Sequence, residues 1–348
     1  MSDYAISVVY PNDLKTLKQI DELLQQEGIQ RDANLDYTCV MYDEDYNVIG
    51  TGSCFGNTLR CFAVSSRHQG EGLLNEIISH LMQVQYERGN IHLFLYTKCN
   101  SAKFFADLGF YEIARVDEKL VFMENKKNGF GNYLKQMEKG TALPEKTAAL
   151  VMNANPFTLG HQYLVEKASS ENDVLHLFIV SEDASLIPFS VRKKLVKAGT
   201  AHLNNIIYHD SGPYIISNAT FPSYFLKDEA AVIDGHARLD LAVFTRISEA
   251  LGIGKRYVGD EPTSFVTNTY NTIMKEELPK SGVECLIIPR KETSGAPISA
   301  STVRTLLKTG DWERLKDYLP DTSLQYFQSE EAAPVLDKIR AAENVVHY

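Results

Sequence analysis

The sequence predicts an α/β protein in two parts: an α+β domain over residues 1–125 and a parallel-sheet α/β domain over 146–348, joined by a linker over 126–145. Three observations predict it. The chain has 348 residues, more than one typical core accommodates. From residue 146 onward, apolar strand-like runs alternate with helical periodicity, the pattern of a parallel sheet covered on both faces. Before residue 125, short strands separated by turns predominate over helices.

In the first part, residues 13–26 carry Leu14, Leu17, Ile20, Leu23 and Leu24 at helical spacing. Residues 37–42 read as a strand, 43–47 as a turn, 48–54 as the return strand and 59–64 as a third strand. Arg67-x-x-Gly70-x-Gly72 then leads into a helix with Leu73, Leu74, Ile77, Ile78, Leu81 and Met82 inward. A strand follows at 92–96, and a short helix over 100–110 has Gly109 as its C-cap. Tyr111 onward and residues 119–123 supply the last strands. His68, Glu71 and His92 are candidate general bases, but each reads more readily as a surface or structural residue. Residues 125–132 are polar with two glycines, the composition of a hinge, and 133–138 suit a short helix.

The second part opens with the apolar strand 148–152, a turn through Asn153, Asn155 and Pro156, and an amphipathic helix with Leu164, Val165 and Ala168 inward. Strands follow at 174–180, 205–208, 231–234, 255–261 and 285–291. Helices follow at 189–199, with Ser190 as N-cap and Gly199 as stop, at 240–251, and from near Val303. Residues 214–225 are aromatic and loop-like, suited to a substrate lid. Arg192 reads as either functional or structural. His236 reads as a surface residue or a contact for an acyl substrate.

Composition narrows the partners. There are 35 basic and 45 acidic residues, a formal charge of −10, and no Lys/Arg-rich block, which argues against nucleic acid. Five cysteines are scattered with no C-x-x-C pair, so neither a zinc site nor a disulfide framework is expected. No metal ligands are assigned. Thiols without a framework suit a reducing, cytoplasmic compartment. The N-terminus lacks the basic and apolar regions of a signal peptide, and no apolar run approaches ~20 residues, so no membrane span is expected.

Chemistry concentrates at two predicted helix mouths. The first is Asn153-Ala-Asn155-Pro-Phe157-Thr158-Leu-Gly160-His161. A strand, a tight turn and a helix start put unpaired amides and a positive dipole end at one point, which attracts phosphate. Thr158 and His161 can both donate there, and Gly160 allows close approach. The second is Pro297-Ile-Ser299-Ala-Ser301-Thr302-Val-Arg304, rich in N-cap hydroxyls with an arginine one turn in. The first resembles the (T/H)xGH signature of the nucleotidyltransferase superfamily, the second its ISSTxxR motif. The resemblance implies a Rossmann-like domain that binds ATP, with the second motif on the β- and γ-phosphates. Gly259-Asp260-Glu261 is similar to the superfamily's loop near the base or ribose, and Arg290 or Lys291 lies one loop before Ser299. Arg67-x-x-Gly70-x-Gly72 resembles the pyrophosphate loop of the GNAT acetyltransferase fold.

In-line attack on the α-phosphorus of ATP needs positioned donors rather than a nucleophilic side chain. The resemblance implies His161, Thr158 and Arg304 as the catalytic donors, helped by Mg²⁺. It implies Asn155, Phe157, Gly160, Asp260, Lys291, Ser299, Ser301 and Thr302 as nucleotide contacts. Arg67, Gly70 and Gly72 are expected to hold coenzyme A or a pantetheine-type arm. A GNAT-like domain followed by this one, with Val180-Ser-Glu-Asp183 besides, resembles the [citrate (pro-3S)-lyase] ligase family. That resemblance implies ATP, acetate and the citrate lyase acyl carrier protein as ligands and partner. Thr158 departs from the histidine that many superfamily members carry, which exchanges an imidazole for a hydroxyl. Two other readings stay open: an adenylyltransferase acting on a phosphorylated precursor such as phosphopantetheine, and a sensor fused to an inactive nucleotide fold.

Overall fold

Two sheets organise the protein, a mixed one of seven strands and a parallel one of five. The computed structural model describes residues 4–138, 145–215, 221, 229–260 and 265–345. The chain divides into two compact units, one of residues 1–132 with 221–242, the other of 133–220 with 243–348.

The first unit contains β1 (Ile6–Val8), α1 (Leu14–Gln26), β2 (Tyr37–Tyr42), β3 (Val48–Phe55), β4 (Thr58–Val64), α2 (Leu73–Glu87), β5 (Phe94–Thr97), α3 (Ala102–Asp107), β6 (Tyr111–Val116) and β7 (Leu120–Glu124). The strand order is β1-β2-β3-β4-β5-β7-β6, antiparallel throughout except for β4 and β5. That parallel pair is in register only at Thr58↔Phe94 and Leu59↔Leu95. Further along, a slot of about 170 Å³ lies among Phe62, Leu74, Tyr96, Lys98 and Phe104. The alternation of β5 and β7 sends Leu95, Val121 and Met123 into a core shared with Leu73, Ile77 and Leu81 of α2. Gly109 takes a φ of 85° just past α3, the left-handed conformation expected of a helix stop. His92 is structural: its Nε2 lies 2.6 Å from Glu124, whose other oxygen receives the amide of Phe130. That amide opens α4 (Gly129–Glu138), so the helix begins inside the stretch that composition marks as a hinge.

The second unit contains β8 (Thr147–Met152), α5 (Leu159–Ser170), β9 (Val174–Ile179), α6 (Phe189–Gly199), β10 (Ile206–Asp210), β11 (Lys255–Gly259), α8 (Phe265–Glu277) and β12 (Glu284–Ile288); α7 (Glu229–Leu251), before β11, has residues 229–242 in the first unit and the rest in the second. After β12 come the hairpin β13 (Glu292–Thr293) and β14 (Ala296–Pro297), then α9 (Ala300–Thr309), α10 (Trp312–Leu315), α11 (Asp321–Gln328) and α12 (Ala333–Ala341). The order is β10-β9-β8-β11-β12, parallel throughout. β8 is central, successive strands pass first to one side and then to the other, and the switch point lies between β8 and β11.

Several elements differ from expectation. Residues 231–234 are not a strand but part of α7, because Ile233, Ala237, Phe244 and Ile247 are buried at helical spacing and Asp234 pairs with Arg238 at i,i+4. A four-residue apolar run does not separate the two cases. Ser190 is not an N-cap: α6 starts after Pro188, and Asp183 accepts the Phe189 amide at 2.6 Å. α6 does end at Gly199, with Thr200 as its cap residue. β12 ends at Ile288, which leaves Pro289, Arg290 and Lys291 in a loop. Of the proposed lid, residues 216–220 and 222–228 lie outside the described residues, as does Glu261. Among the described residues, no helix is long and apolar enough to cross a membrane.

Candidate active site

β8 delivers the chain to its carboxyl edge at Met152, and the turn that follows is held on all sides. Ala154 takes a φ of 51°, a left-handed conformation that costs a residue with a Cβ roughly 1–2 kcal/mol. Fully buried Arg192 secures the turn. Its guanidinium donates to Asn153 O at 2.9 Å, Asn153 Oδ1 at 2.7 Å, Val180 O at 2.7 Å, Ile187 O at 3.0 Å and Glu182 O. Arg192 is therefore structural. Asn155 is buried as well, and its Oδ1 accepts the Ile187 amide at 3.2 Å.

The turn ends in a reciprocal cap. Thr158 Oγ1 accepts the His161 amide at 3.3 Å, and His161 Nδ1 accepts the Thr158 amide at 3.1 Å. A backbone N–H only donates, so Nδ1 carries no proton and the neutral ring is protonated at Nε2. Thr158 Oγ1 also lies 2.9 Å from Nδ1, so the hydroxyl proton points there. The sequence expects the Thr158 hydroxyl on phosphate; here it anchors the imidazole. Burial, and secondarily the charge of Arg290, push the His161 pKa down to about 4. The ring is neutral at pH 7, a donor through Nε2.

Phe157 supports the ring from below, with centroids 5.9 Å apart and planes 21° from parallel. It is itself fully buried. Gly199 makes this fit: a Cβ there would fall 2.4 Å from the Phe157 ring.

The mouth of α5 faces a cavity of about 130 Å³ at the switch point, where ligands of such sheets bind. Thr158, Gly160 and His161 form one wall. Arg290, Lys291, Ser299 and Ala300 form another, and Gly259, Leu164, Ile288 and Ile298 complete it. At the mouth of α9, Ser299 Oγ accepts the Thr302 amide at 3.0 Å and lies 2.9 and 2.8 Å from the hydroxyls of Ser301 and Thr302. Arg290 is tethered by its Nε to Asp260 O at 2.8 Å, and burial lowers its pKa.

The structure thus brings Thr158, Gly160, His161, Lys291 and Ser299 to one cavity, with Ser301 and Thr302 hydrogen-bonded to Ser299. Asp260 contributes through its carbonyl. Asn155 and Phe157 lie in the buried layer behind the wall. Arg304 is buried too, and its Nη1 donates to Asn155 O at 2.5 Å and its Nε to Val345 O at 2.6 Å. The sequence expects this guanidinium on phosphate, but in this structure it is engaged by backbone carbonyls. Burial lowers its pKa to about 10, which leaves it charged at neutral pH. Sequence reasoning missed Tyr318 and Ser323, which hold Leu159 N and Phe157 O. No local motif marks them.

Arg67, Gly70 and Gly72 belong to the first unit. Gly70 and Gly72 take φ of 93° and 81°, and Gly72 caps α2. Arg67 is exposed, and Glu27 accepts the Ser66 amide at 3.1 Å within the same loop. His68 lies edge-on to Tyr4 and Glu71 is exposed. His236 is buried against Phe221 rather than on the surface.

The chain is similar to proteins already known. The chain is 38% identical over 312 residues to the [citrate [pro-3S]-lyase] ligase of Klebsiella pneumoniae, covering 88% of this chain and 91% of that one. It is 37% identical over 320 residues to the [citrate [pro-3S]-lyase] ligase of Haemophilus influenzae, covering 90% and 96%. Among solved structures, an acetyltransferase of the GNAT family from Staphylococcus aureus matches with 16% identity and a TM-score of 0.29, covering 35% of this chain and 100% of that one. The family model for the citrate lyase ligase C-terminal domain matches residues 147–327, which hold the β8–α5 turn, the cavity and the hydroxyl cluster of α9, and the chain belongs to the citrate lyase ligase family.

Proposed function

We propose that the cavity between the mouths of α5 and α9 is where this enzyme joins acetate to AMP. The observation that carries the reading is that His161 and, from a second segment far along the chain, Lys291 and Ser299 line one cavity at the switch point. An acetate oxygen attacks the α-phosphorus of ATP and the bond to pyrophosphate breaks. Charge grows on the departing oxygens, where His161 Nε2–H, Lys291 and the hydroxyls of Ser299, Ser301 and Thr302 stabilise it. Gly160 lines the cavity, where the lack of a side chain lets a ligand approach the backbone. Leu164, Ile288 and Ile298 offer apolar surface to the nucleoside. Mg²⁺ would be carried on the triphosphate: among the described residues, no group of three or more His, Cys, Asp or Glu could hold a metal ion.

In the second half-reaction, the prosthetic-group thiol of the citrate lyase acyl carrier protein attacks the acetyl carbon. The thioester forms, the bond to AMP breaks, and the thiol proton leaves to solvent. In the first unit, the amides after Gly70 and Gly72, with Arg67, suit the phosphate of coenzyme A or a pantetheine arm. The nearby slot, which includes Leu74 of α2, suits the arm's chain. The setting is cytoplasmic.

The test is exchange of labelled pyrophosphate into ATP. It is expected only when acetate is present; exchange that ignores acetate and requires a phosphorylated precursor would overturn the reading.

A further inference from the structure

The turn that carries His161 is held from the far end of the chain. Leu159 N, the first amide of α5, donates to Tyr318 O at 2.8 Å. Ser323, fully buried, donates its hydroxyl to Phe157 O at 3.2 Å. Arg304 bridges Asn155 O and Val345 O with one guanidinium. Lys338 Nζ donates to Ser185 O at 2.9 Å, and the Ser185 hydroxyl accepts from Asn153 Nδ2 at 3.1 Å. The tail after α12 is fixed in turn by Lys308 Nζ on Ala342 O at 2.6 Å. Val335, Leu336, Ile339 and Val345 are buried in the same core as Phe157 and Val165.

We infer that α12 and the tail through Val345 form a positioning element for the reaction, one that holds the Asn153–Phe157 turn in its strained shape and so sets where His161 stands. Left-handed Ala154 is a conformation that persists only where surrounding contacts over-determine it. Two of those contacts are relayed to residues 338–345, one through Arg304 to Val345 O and one through Ser185 to Lys338. None of these side chains lines the cavity, so they act through the turn rather than on substrate. The inference extends the adenylation reading, and it assigns a role to residues beyond the 147–327 matched by the family.

The consequence is kinetic. A catalytic group displaced by ~1 Å can cost ~100-fold in rate, whereas a tail that only adds stability leaves the rate per folded molecule alone. Lys338→Met is expected to lower kcat for acetate-dependent AMP release about tenfold, with KM for ATP within about twofold, and Lys338→Arg is expected to recover most of the loss. Deletion of residues 342–348, which removes Val345 O from Arg304 and Ala342 O from Lys308, is expected to lower kcat further. The same variants are compared by ¹⁵N resonances of the His161 ring without substrate, with Lys280→Met as a surface control. Those resonances should move in Lys338→Met and stay in the control. Wild-type kcat per folded molecule and unmoved ring resonances in Lys338→Met would overturn the inference, whether or not the shortened chain folds. A wild-type protein that releases no AMP with acetate would overturn the adenylation reading instead, and the ring resonances would still decide this one.

Discussion

An imidazole that donates from Nε2 at neutral pH needs Nδ1 held as an acceptor, and the Thr158 amide does this at 3.1 Å. His161→Ala is expected to lower acetate-dependent AMP release by roughly one to three orders of magnitude, the range for losing a transition-state donor. Steady-state AMP release measures it. Thr158→Val keeps the amide but loses the hydroxyl cap, worth about 0.5–2 kcal/mol of helix stability. Its effect on kcat is therefore expected to be smaller than that of His161→Ala, with KM for ATP little changed, and Thr158→Ser should behave as wild type. A Thr158→Val enzyme as poor as His161→Ala, with a raised KM for ATP, would place the hydroxyl on phosphate. The motif made His161 legible as a candidate, because a histidine just inside a helix mouth after a glycine is a local pattern. Its tautomer was not legible, since that depends on which atom faces Nδ1.

At the scale of elements, α5 and α6 meet through Phe157 and Gly199, and the tolerance there is narrow. Gly199→Ala would put a methyl 2.4 Å from the Phe157 ring. It is expected to destabilise the protein by about 1–3 kcal/mol, the usual range for overpacking, and to lower turnover by shifting the ring beneath His161. Urea unfolding and AMP release check both halves; a variant with wild-type midpoint and rate would show that the Phe157 ring moves freely. Gly199 is the last residue of α6, the helix stop that the sequence expects. Its φ is not left-handed, and its function is to let a ring through, a requirement set by a residue on a different element. α7 carries the same lesson, since its first apolar residues read as a strand until the Asp234–Arg238 pair, one helical turn apart, is seen.

At the scale of the whole molecule, three histidines make stability depend on pH. Burial holds His161, His176 and His209 near a pKa of about 4, against an ordinary 6.5. His176 Nδ1 and His209 Nε2 share a hydrogen bond of 2.8 Å within the parallel sheet. The unfolded chain takes up protons at these rings near pH 6.5, and the folded chain resists until about pH 4. Stability is therefore full above pH 6.5 and declines as pH falls toward 4. Carboxylates with lowered pKa values, such as Asp13 and Asp43, act at lower pH still. The urea midpoint is expected to be lower at pH 5 than at pH 7.5, and equal midpoints would contradict neutral buried rings.

The α/β class, most strands, both helix mouths and the resemblance to the citrate lyase ligase family came from the sequence alone. These rest on periodicity, capping residues and short motifs, which act over a few residues. Tertiary structure alone decided which motif residues reach the cavity. It turned Thr158 toward its own helix, gave Arg304 to carbonyls at Asn155 and Val345, and braced the turn with Ser323 and Lys338. Asn155 and Arg304 stand 149 residues apart, and Phe157 and Ser323 stand 166 apart. Hydrogen bonds across such separations leave no trace in local pattern, because each partner's residue type is common and only the packed core brings the two together.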